Sequence, residues 1–415
     1  MFSFDDHASR VEQFEYTNEQ YDLVQRIRRI GRTQIGPAAR QTDRDGTFPT
    51  VGINALRQAG LTGLCVPKSS GGSGAGVYGD TLMLALALME IASWCSSTSQ
   101  VFTLHHTGVQ LVHAMGNEAQ QRYFFQEALD GHLFASFGSE AGPNRFQLDS
   151  TLRQAEGSSG YRLTGSKQFA TSSTGSKWAF WRSVSGDVEG TQDDRYVMPI
   201  VRLSAPGVTI TDDWNGIGQR GTGSGHVTAD NVWIPNEHLF GKPGSYQECA
   251  DYFAAQFQIN FAAQFVGMAQ GAYRDALNYV KERARPWGGH AHASEDPYIQ
   301  LRVADMATKL ASAQQSVIRA ARLLQAYMTY PDLRSSIHIA ASHAKITATE
   351  VSLDVTNSIF QVMGASSATQ KYGFDLYYRN ARTLTLHDPV DRRREAVGKY
   401  ELGLAEPVPL PGKNR

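Results

Sequence analysis

The chain has 415 residues, a formal net charge of -1, 41% hydrophobic and 19% charged residues, which is the composition of an ordinary globular protein. It lacks the basic balance of a non-specific nucleic-acid binder and any apolar run long enough to span a bilayer. The length exceeds what one hydrophobic core usually serves, so two or three domains sharing interfaces are expected.

The first ten or so residues read as loosely held, and Thr17 to Ile35 (YDLVQRIRRIG within it) places apolar residues at helical spacing. Gly36, Pro37 and the DRDGTFP stretch are expected to close that helix. A short helix near Val51 to Gln58 leads through LTGLCVP into KSSGGSGAGVYG. With no strand before it and no GKS/T ending this is not a Walker loop; it reads as a turn, with a ligand contact as the alternative. From Thr81 to Gly131 the chain is helical again, and DTLMLALALMEIASW is too apolar to face water.

From about Leu133 the pattern changes to short runs rich in Val, Thr, Tyr, Phe and Trp, separated by Gly, Asp and Ser: FASFGSE, YRLTGSKQFAT, KWAFWRSV, RYVMPIVRL, GVTITDDW, SGHVTADNVWIP. A small β-barrel or sandwich is expected. Four long amphipathic segments follow, Tyr252 to Arg285, Ile299 to Tyr327, Leu333 to Gly364 and Leu376 to Gly403, and imply an antiparallel bundle. Cys65, Cys95 and Cys249 form no CxxC pair and MFSFDDHASR is no signal peptide, so a cytoplasmic location is expected.

The stretch Gln361 to Val390 carries the most chemistry. A helix breaks at Gly364 into a polar loop containing Lys371, restarts near Asp375, and delivers His387 and Asp388 just before Pro389. Proline disfavours α geometry at the residue before it, so the pair is expected where a helix yields to a turn.

The chain resembles, over nearly its whole length, the acyl-CoA dehydrogenase superfamily, and five strings between residues 214 and 390 resemble within it the flavin-dependent monooxygenases of the dibenzothiophene monooxygenase type: WNGIGQRGTGSG (Trp214 to Gly225), ARPWG (Ala284 to Gly288), SEDPY (Ser294 to Tyr298), KYGFDLYYRNART (Lys371 to Thr383) and LHDPV (Leu386 to Val390). The resemblance implies a mainly α protein with a β-domain: a helical N-terminal domain over 1–131, a flavin-facing β-domain over 132–240 and a C-terminal four-helix bundle over 241–415. It also implies a homotetramer in which the bundle face near Gln361 to Ala365 meets a partner subunit.

Acyl-CoA dehydrogenation needs a carboxylate to remove a carbon-bound proton. The family takes it from a Glu-Gly-Thr segment late in the bundle or from the bundle's first helix; here these read LHDPV and DYFAAQFQINFAAQF, with neither glutamate. Asp388 lies close to the missing base, as in the nitroalkane oxidases of the superfamily, which keeps a dehydrogenase or oxidase with Asp388 as base as the alternative. A monooxygenase uses the histidines better, since imidazole can donate a hydrogen bond or proton to a flavin-bound peroxide. His387 matches the family's active-site histidine, and Asp388 either orients it or caps the turn. By resemblance His105 stands for a second such histidine with His106 beside it; a core histidine is the alternative for each. Adjacent helical histidines point about 100° apart, so no metal site is implied.

Flavin contacts follow from the same resemblance: Phe137 and Ser139 in FGSE with Ser136 one step earlier toward the pocket, Thr171 and Ser172 at the strand end QFATSS, and Arg285 and Lys371 on the phosphate, the lysine from a neighbouring subunit. A β-forming threonine and solvated surface charges are the competing readings. Two positions depart from the pattern: Leu384 replaces a family histidine, and Ser136 replaces an asparagine. They leave N-hydroxylation of an amine, S-oxidation, and hydroxylation of an aromatic or indole-like ring open, with Phe102, Phe261, Phe265 and Trp214 as pocket or core aromatics. The expected function is a two-component monooxygenase: a separate NAD(P)H:flavin reductase supplies reduced FMN (FAD is the alternative), oxygen adds at C4a, and the hydroperoxide oxygenates a small organic molecule. The absence of a GxGxxG after a strand agrees. A binding module that keeps the fold without the chemistry is the remaining class.

Overall fold

Residues 4–142, 144 and 147–407 are described by the structure, a computed structural model. After α1 (Phe4–Glu15), α2 (Asn18–Ile30) starts on a capping box: the Thr17 hydroxyl accepts from the Gln20 N–H while the Gln20 side chain accepts from the Thr17 N–H. Gly36 and Pro37 do not end the helical run. It continues through a π-helical turn, Gly31–Ile35, into α3 (Gly36–Asp45), the wider turn lying just before Pro37, whose ring and missing N–H interrupt the regular ladder. The glycines serve packing instead, because a Cβ on Gly31 would stand 2.2 Å from the Trp94 ring. After α4 (Thr50–Gln58) the glycine-rich stretch folds into a packed turn that buries Ala75 and Val77, and Asp80 then caps α5 (Thr81–Trp94). α6 (Ser96–Met115) and α7 (Glu118–Leu129) follow.

The strands are β1 (Phe134–Phe137), β2 (Thr151–Gln154), β3 (Gly160–Lys167), β4 (Trp178–Trp181), β5 (Ser183–Ser185), β6 (Tyr196–Arg202), β7 (Val208–Thr211), β8 (His226–Pro235) and β9 (Leu239–Phe240), with the short α8 (Gln192–Arg195) before β6. They form one continuous sheet in the order β1-β4-β6-β5-β2-β3-β8-β7, with β9 added beside β6. Alternation sorts its side chains to two faces. Phe134, Trp178 and Phe180 join the core shared with the helices, while Ala135, Phe137, Ala179 and Trp181 form a separate core inside the β-region. QFATSS is not the end of a strand: β3 stops at Lys167, and residues 168–177 turn toward β4.

The C-terminal helices are α9 (Ala250–Glu282), α10 (Pro297–Tyr327), α11 (Arg334–Met363), α12 (Asp375–Thr385) and α13 (Val390–Glu401). The fourth bundle segment is thus two helices, interrupted at residues 386–389 where Pro389 offers no N–H to continue the first. α9 packs against both α5 and α11, so it joins the N-terminal helices to the bundle, and α5 is buried on all sides. Among the described residues no helix is long and apolar enough to cross a membrane.

Candidate active site

His387 sits in the α12–α13 break with its N–H donated to the Leu384 carbonyl at 3.1 Å. Its ring lies against two phenylalanines of α9, 5.4 Å from Phe257 and 4.7 Å from Phe261 between centroids, and its outer side is exposed. Asp388 turns the other way, into the bundle. It accepts a hydrogen bond from Gln258 Nε2 at 2.9 Å and pairs with Arg393 Nε at 3.5 Å, a contact without hydrogen-bond geometry. The proline-defined turn therefore splits the two residues: the imidazole faces outward from α9 and the carboxylate braces the turn from within.

Two turns further along α9, about 10 Å by helix rise, Met268 accepts from the Ser96 hydroxyl at 3.1 Å. Ser96 opens α6 and also receives Gln219 Nε2. Gln219 belongs to the WNGIGQRGTGSG loop, which is a junction. Its N–H donates to Asn380 Oδ1 of α12 at 2.6 Å, its carbonyl accepts from Trp214 Nε1 at 2.7 Å, and Arg220 Nε donates to the Asp43 carbonyl at 2.7 Å. The same loop holds a chain of hydroxyls, with Thr222 Oγ1 2.6 Å from Ser224 Oγ and Ser224 Oγ 2.9 Å from Thr171 Oγ1. The β-region, α6, α9 and α12 thus meet around one short segment.

Buried carboxamides gather at this junction with atoms that find no partner among the described residues: Gln219 Oε1, Oε1 of Gln100 one turn after Ser96, and both Nε2 and Oε1 of Gln264 one turn before Met268. Buried polar groups are as a rule hydrogen-bonded, so a group of them left open on the 214–225 loop, α6 and α9 is suited to a polar ligand. Isoalloxazine, which carries donors and acceptors along one edge, fits such a lining. The WNGIGQRGTGSG string, singled out by resemblance alone, was the sequence signal for the junction; nothing in the sequence marked Gln100, Gln219, Gln264 or Ser96 as open polar groups.

Of the residues expected to act, His105 is fully buried and engaged at both ring nitrogens. Nε2 is 2.8 Å from the Thr62 carbonyl and Nδ1 accepts the Phe134 N–H at 3.2 Å, which fixes a neutral tautomer; burial lowers its pKa to about 4. It clamps α6 to β1 and to the 61–63 turn. His106 is equally buried, its pKa also lowered by desolvation, but neither ring nitrogen has a partner among the described residues. Ser136 shares the helix-facing side of β1 with Phe134 and is half-buried, whereas the Phe137 side chain points into the β core and packs on Trp181. Ser139 is exposed, and its carbonyl accepts from the Gln168 N–H. Thr171 joins the hydroxyl chain. Ser172, at φ 70° and buried, hydrogen-bonds Ser176 instead. Arg285 and Lys371 are both exposed beside one aromatic cluster: Arg285 acts electrostatically on Tyr279, whose ring meets Tyr372 at 5.2 Å, and Lys371 Nζ lies 5.6 Å over Tyr372. Phe102, Phe261 and Phe265 are core residues, and Trp214 is partly exposed, with Phe169 set edge-on to its ring at 6.1 Å.

Comparison with known proteins agrees with this architecture. Residues 17–132 match the acyl-CoA dehydrogenase N-terminal domain and residues 259–392 the acyl-CoA dehydrogenase C-terminal domain. The chain belongs to the acyl-CoA dehydrogenase superfamily. Within it, the chain is 31% identical to a dibenzothiophene monooxygenase of Rhodococcus erythropolis over 89% of its own length and 90% of the relative's. It is 30% identical to the probable FMNH2-dependent monooxygenase SfnC of Pseudomonas putida, over 90% and 92% of the two chains. The crystal structure of TdsC from Paenibacillus sp. A11-2 with FMN and indole superposes with a TM-score of 0.87 at 26% identity, covering 95% of this chain and 99% of that one. The protein is accordingly a member of the flavin-dependent monooxygenase branch.

Proposed function

We propose that this chain is the oxygenating component of a two-component monooxygenase, which takes reduced FMN from a separate NAD(P)H:flavin reductase and inserts one atom of O2 into a small planar aromatic or indole-like molecule. One observation carries the reading: a single face of α9 joins the open carboxamide of Gln264 to the His387 imidazole, which rests on Phe257 and on Phe261 one turn before Gln264. Bound reduced FMN supplies the electrons and the position at which oxygen is activated. The chain supplies the rest. Gln100, Gln219 and Gln264 present amide donors and acceptors to a polar ring edge, Ser136 and Thr171 add hydroxyls from the β side, and Arg285 with a neighbour's Lys371 holds the phosphate. His387 donates a hydrogen bond or proton at the reacting oxygen; the buried Phe261 backs its ring, and the half-buried Phe257 offers an apolar face to a flat substrate.

His105 leaves the catalytic set in this reading, because both of its nitrogens serve the backbone. Asp388 braces the turn and is not the base of an oxidase, since its carboxylate is held by Gln258 and Arg393. A homotetramer in the cytoplasm completes the proposal. Trp287, Tyr298 and Leu301, in and near the ARPWG and SEDPY strings, are 81%, 75% and 67% exposed in the single chain, as residues awaiting a partner would be. The test is rapid mixing of the anaerobic protein and reduced FMN with oxygenated buffer. Flavin reoxidation delayed well beyond that of free FMN, with product formed when an indole or thioether is present, supports the reading. Reoxidation indistinguishable from free FMN and no product from any amine, thioether or heteroaromatic overturns it.

A further inference from the structure

Lys345 lies mid-way along α11 with no exposed surface, and its Nζ has no hydrogen-bond partner among the described residues. The nitrogen stands 4.6 Å from the ring centroid of Phe261 and 4.7 Å from that of Phe265. An ammonium so placed has given up the three hydrogen bonds it makes in water, and two aromatic faces return part of that loss. Packing alone does not call for an amine, because methionine has a similar length and flexibility without the charge.

The charge does have something to act on. Burial brings the lysine's pKa down from 10.5 to about 7, with the Asp388 carboxylate opposing the shift and the Arg393 guanidinium adding to it. Few ionisable groups face it. The α12–α13 turn offers Asp388, α13 offers Arg393, and α11 itself offers His338 two turns back, paired with Asp251 at 3.3 Å. α9 presents the uncharged Gln258, Phe261 and Phe265, and α10 turns Met306, Leu310, Ala313 and Val317 toward the core. Phe261 is also the ring on which His387 rests.

We propose that Lys345 is a positioning residue of the active site: seated on Phe261 and Phe265, its ammonium supplies the interior positive charge that holds Asp388 and, one residue before it, the His387 turn. The turn is tightest while the lysine is protonated and loosens when it is neutral. Solution pH near neutrality thereby reaches His387 through the bundle core. The inference rests on the proposed function for what His387 does; for Lys345 it rests on burial against Phe261, the ring it shares with His387, and on the electrostatic pull between its ammonium and Asp388.

Hydrogen exchange of the full-length protein, followed by mass spectrometry from pH 6 to 8.5 and corrected for intrinsic rates, tests it in Lys345→Met and Lys345→Arg. For the segment 384–390, exchange at pH 6 should be about threefold or more faster in the methionine variant and unchanged in the arginine variant. Across pH 7 the wild type should lose protection while neither variant shows a step. With flavin and substrate, kcat should fall about tenfold in Lys345→Met with KM changed less than about twofold, and Lys345→Arg should recover it. Lys345→Gln replaces the methionine variant if that one fails to fold. Wild-type protection independent of pH, or an arginine variant as impaired as the methionine one, overturns the proposal. The exchange readout needs no flavin, so a step at pH 7 in a protein that never delays flavin reoxidation would sink the proposed function and leave the positioning role standing.

Discussion

The imidazole of His387 lies 4.7 Å from the ring of Phe261, centroid to centroid, with the two planes tilted by 39°. This contact fixes the side chain in the α12–α13 break, where the backbone alone would leave it free to turn. It also sets the histidine on the same face of α9 as Gln264, so that the residue able to move a proton and the residues able to hold a polar ring share one wall.

Replacing His387 with Ala is therefore expected to remove chemistry and leave binding. Loss of a positioned acid or hydrogen-bond donor costs about 100-fold or more in rate. Affinity for oxidised FMN, measured by fluorescence quenching, should change less than about twofold, because the carboxamide and phosphate contacts remain. The delay in flavin reoxidation should shorten toward the rate for free FMN. An alanine variant with full product yield per reduced flavin would remove His387 from the reaction.

Arg285 and Lys371 are to be separated by ligand rather than by activity. A charged hydrogen bond contributes about 1.5–3 kcal/mol, so Arg285→Ala should weaken FMN about 10- to 100-fold. Riboflavin, which has the ring but no phosphate, should bind wild type and variant equally. If both arginine and lysine variants weaken riboflavin as much as FMN, the two residues act through the Tyr279 and Tyr372 cluster and not through phosphate. Lys371→Ala should in addition lower affinity only in the assembled oligomer, if its phosphate belongs to a neighbouring subunit.

His105 yields a pH prediction with a definite sign. Burial holds it neutral in the fold, with a pKa of about 4 against an ordinary 6.5, while the unfolded chain takes up a proton below 6.5. The unfolded state then binds more protons between these values, so stability falls as pH drops from 6.5 to about 4 and levels off below, by about 3 kcal/mol at most. Denaturant melts of wild type and His105→Asn across this range should converge as the pH falls, since the asparagine variant lacks this term. A difference that stays constant with pH would mean His105 is not the buried neutral group described.

The order of elements was legible in the sequence because periodicity changes sharply at Leu133 and again after Pro235, and LHDPV marked its own turn through Pro389. His387 could be named for that reason. His105 was named by its resemblance to a family histidine, but sequence does not say which way a helical histidine points, and the Thr62 carbonyl that claims it lies 43 residues away. The helix break expected at Gly36 failed for a similar reason: Trp94, far along the chain, packs on Gly31 and Gly36 and turns two apparent breakers into a packing surface. Gln100, Gln219, Gln264 and Lys345 went unnoticed because each is unremarkable in a helix or loop, and their meaning lies in partners that are missing.

The loop from Trp214 to Gly225 offers the sharpest test of the junction. A Cβ added to Gly218 would stand 2.1 Å from the Arg379 carbonyl oxygen and 2.3 Å from its carbon, and these are backbone atoms of α12 that cannot swing aside. Gly218→Ala should push the loop away from α12 and break the 2.6 Å bond from the Gln219 N–H to Asn380 Oδ1. Overpacking of this kind costs about 1–3 kcal/mol. Because Gln219 also reaches Ser96, the displacement should open the site itself, lowering FMN affinity well beyond what the loss of stability explains. Gly398→Ala is the matched control. It lies in α13 with nothing within 4 Å of the new methyl, so it should stabilise the helix by about 0.5–1 kcal/mol and leave FMN binding alone. A Gly218→Ala protein that binds FMN as wild type does would show that the junction holds the domains together without shaping the flavin site.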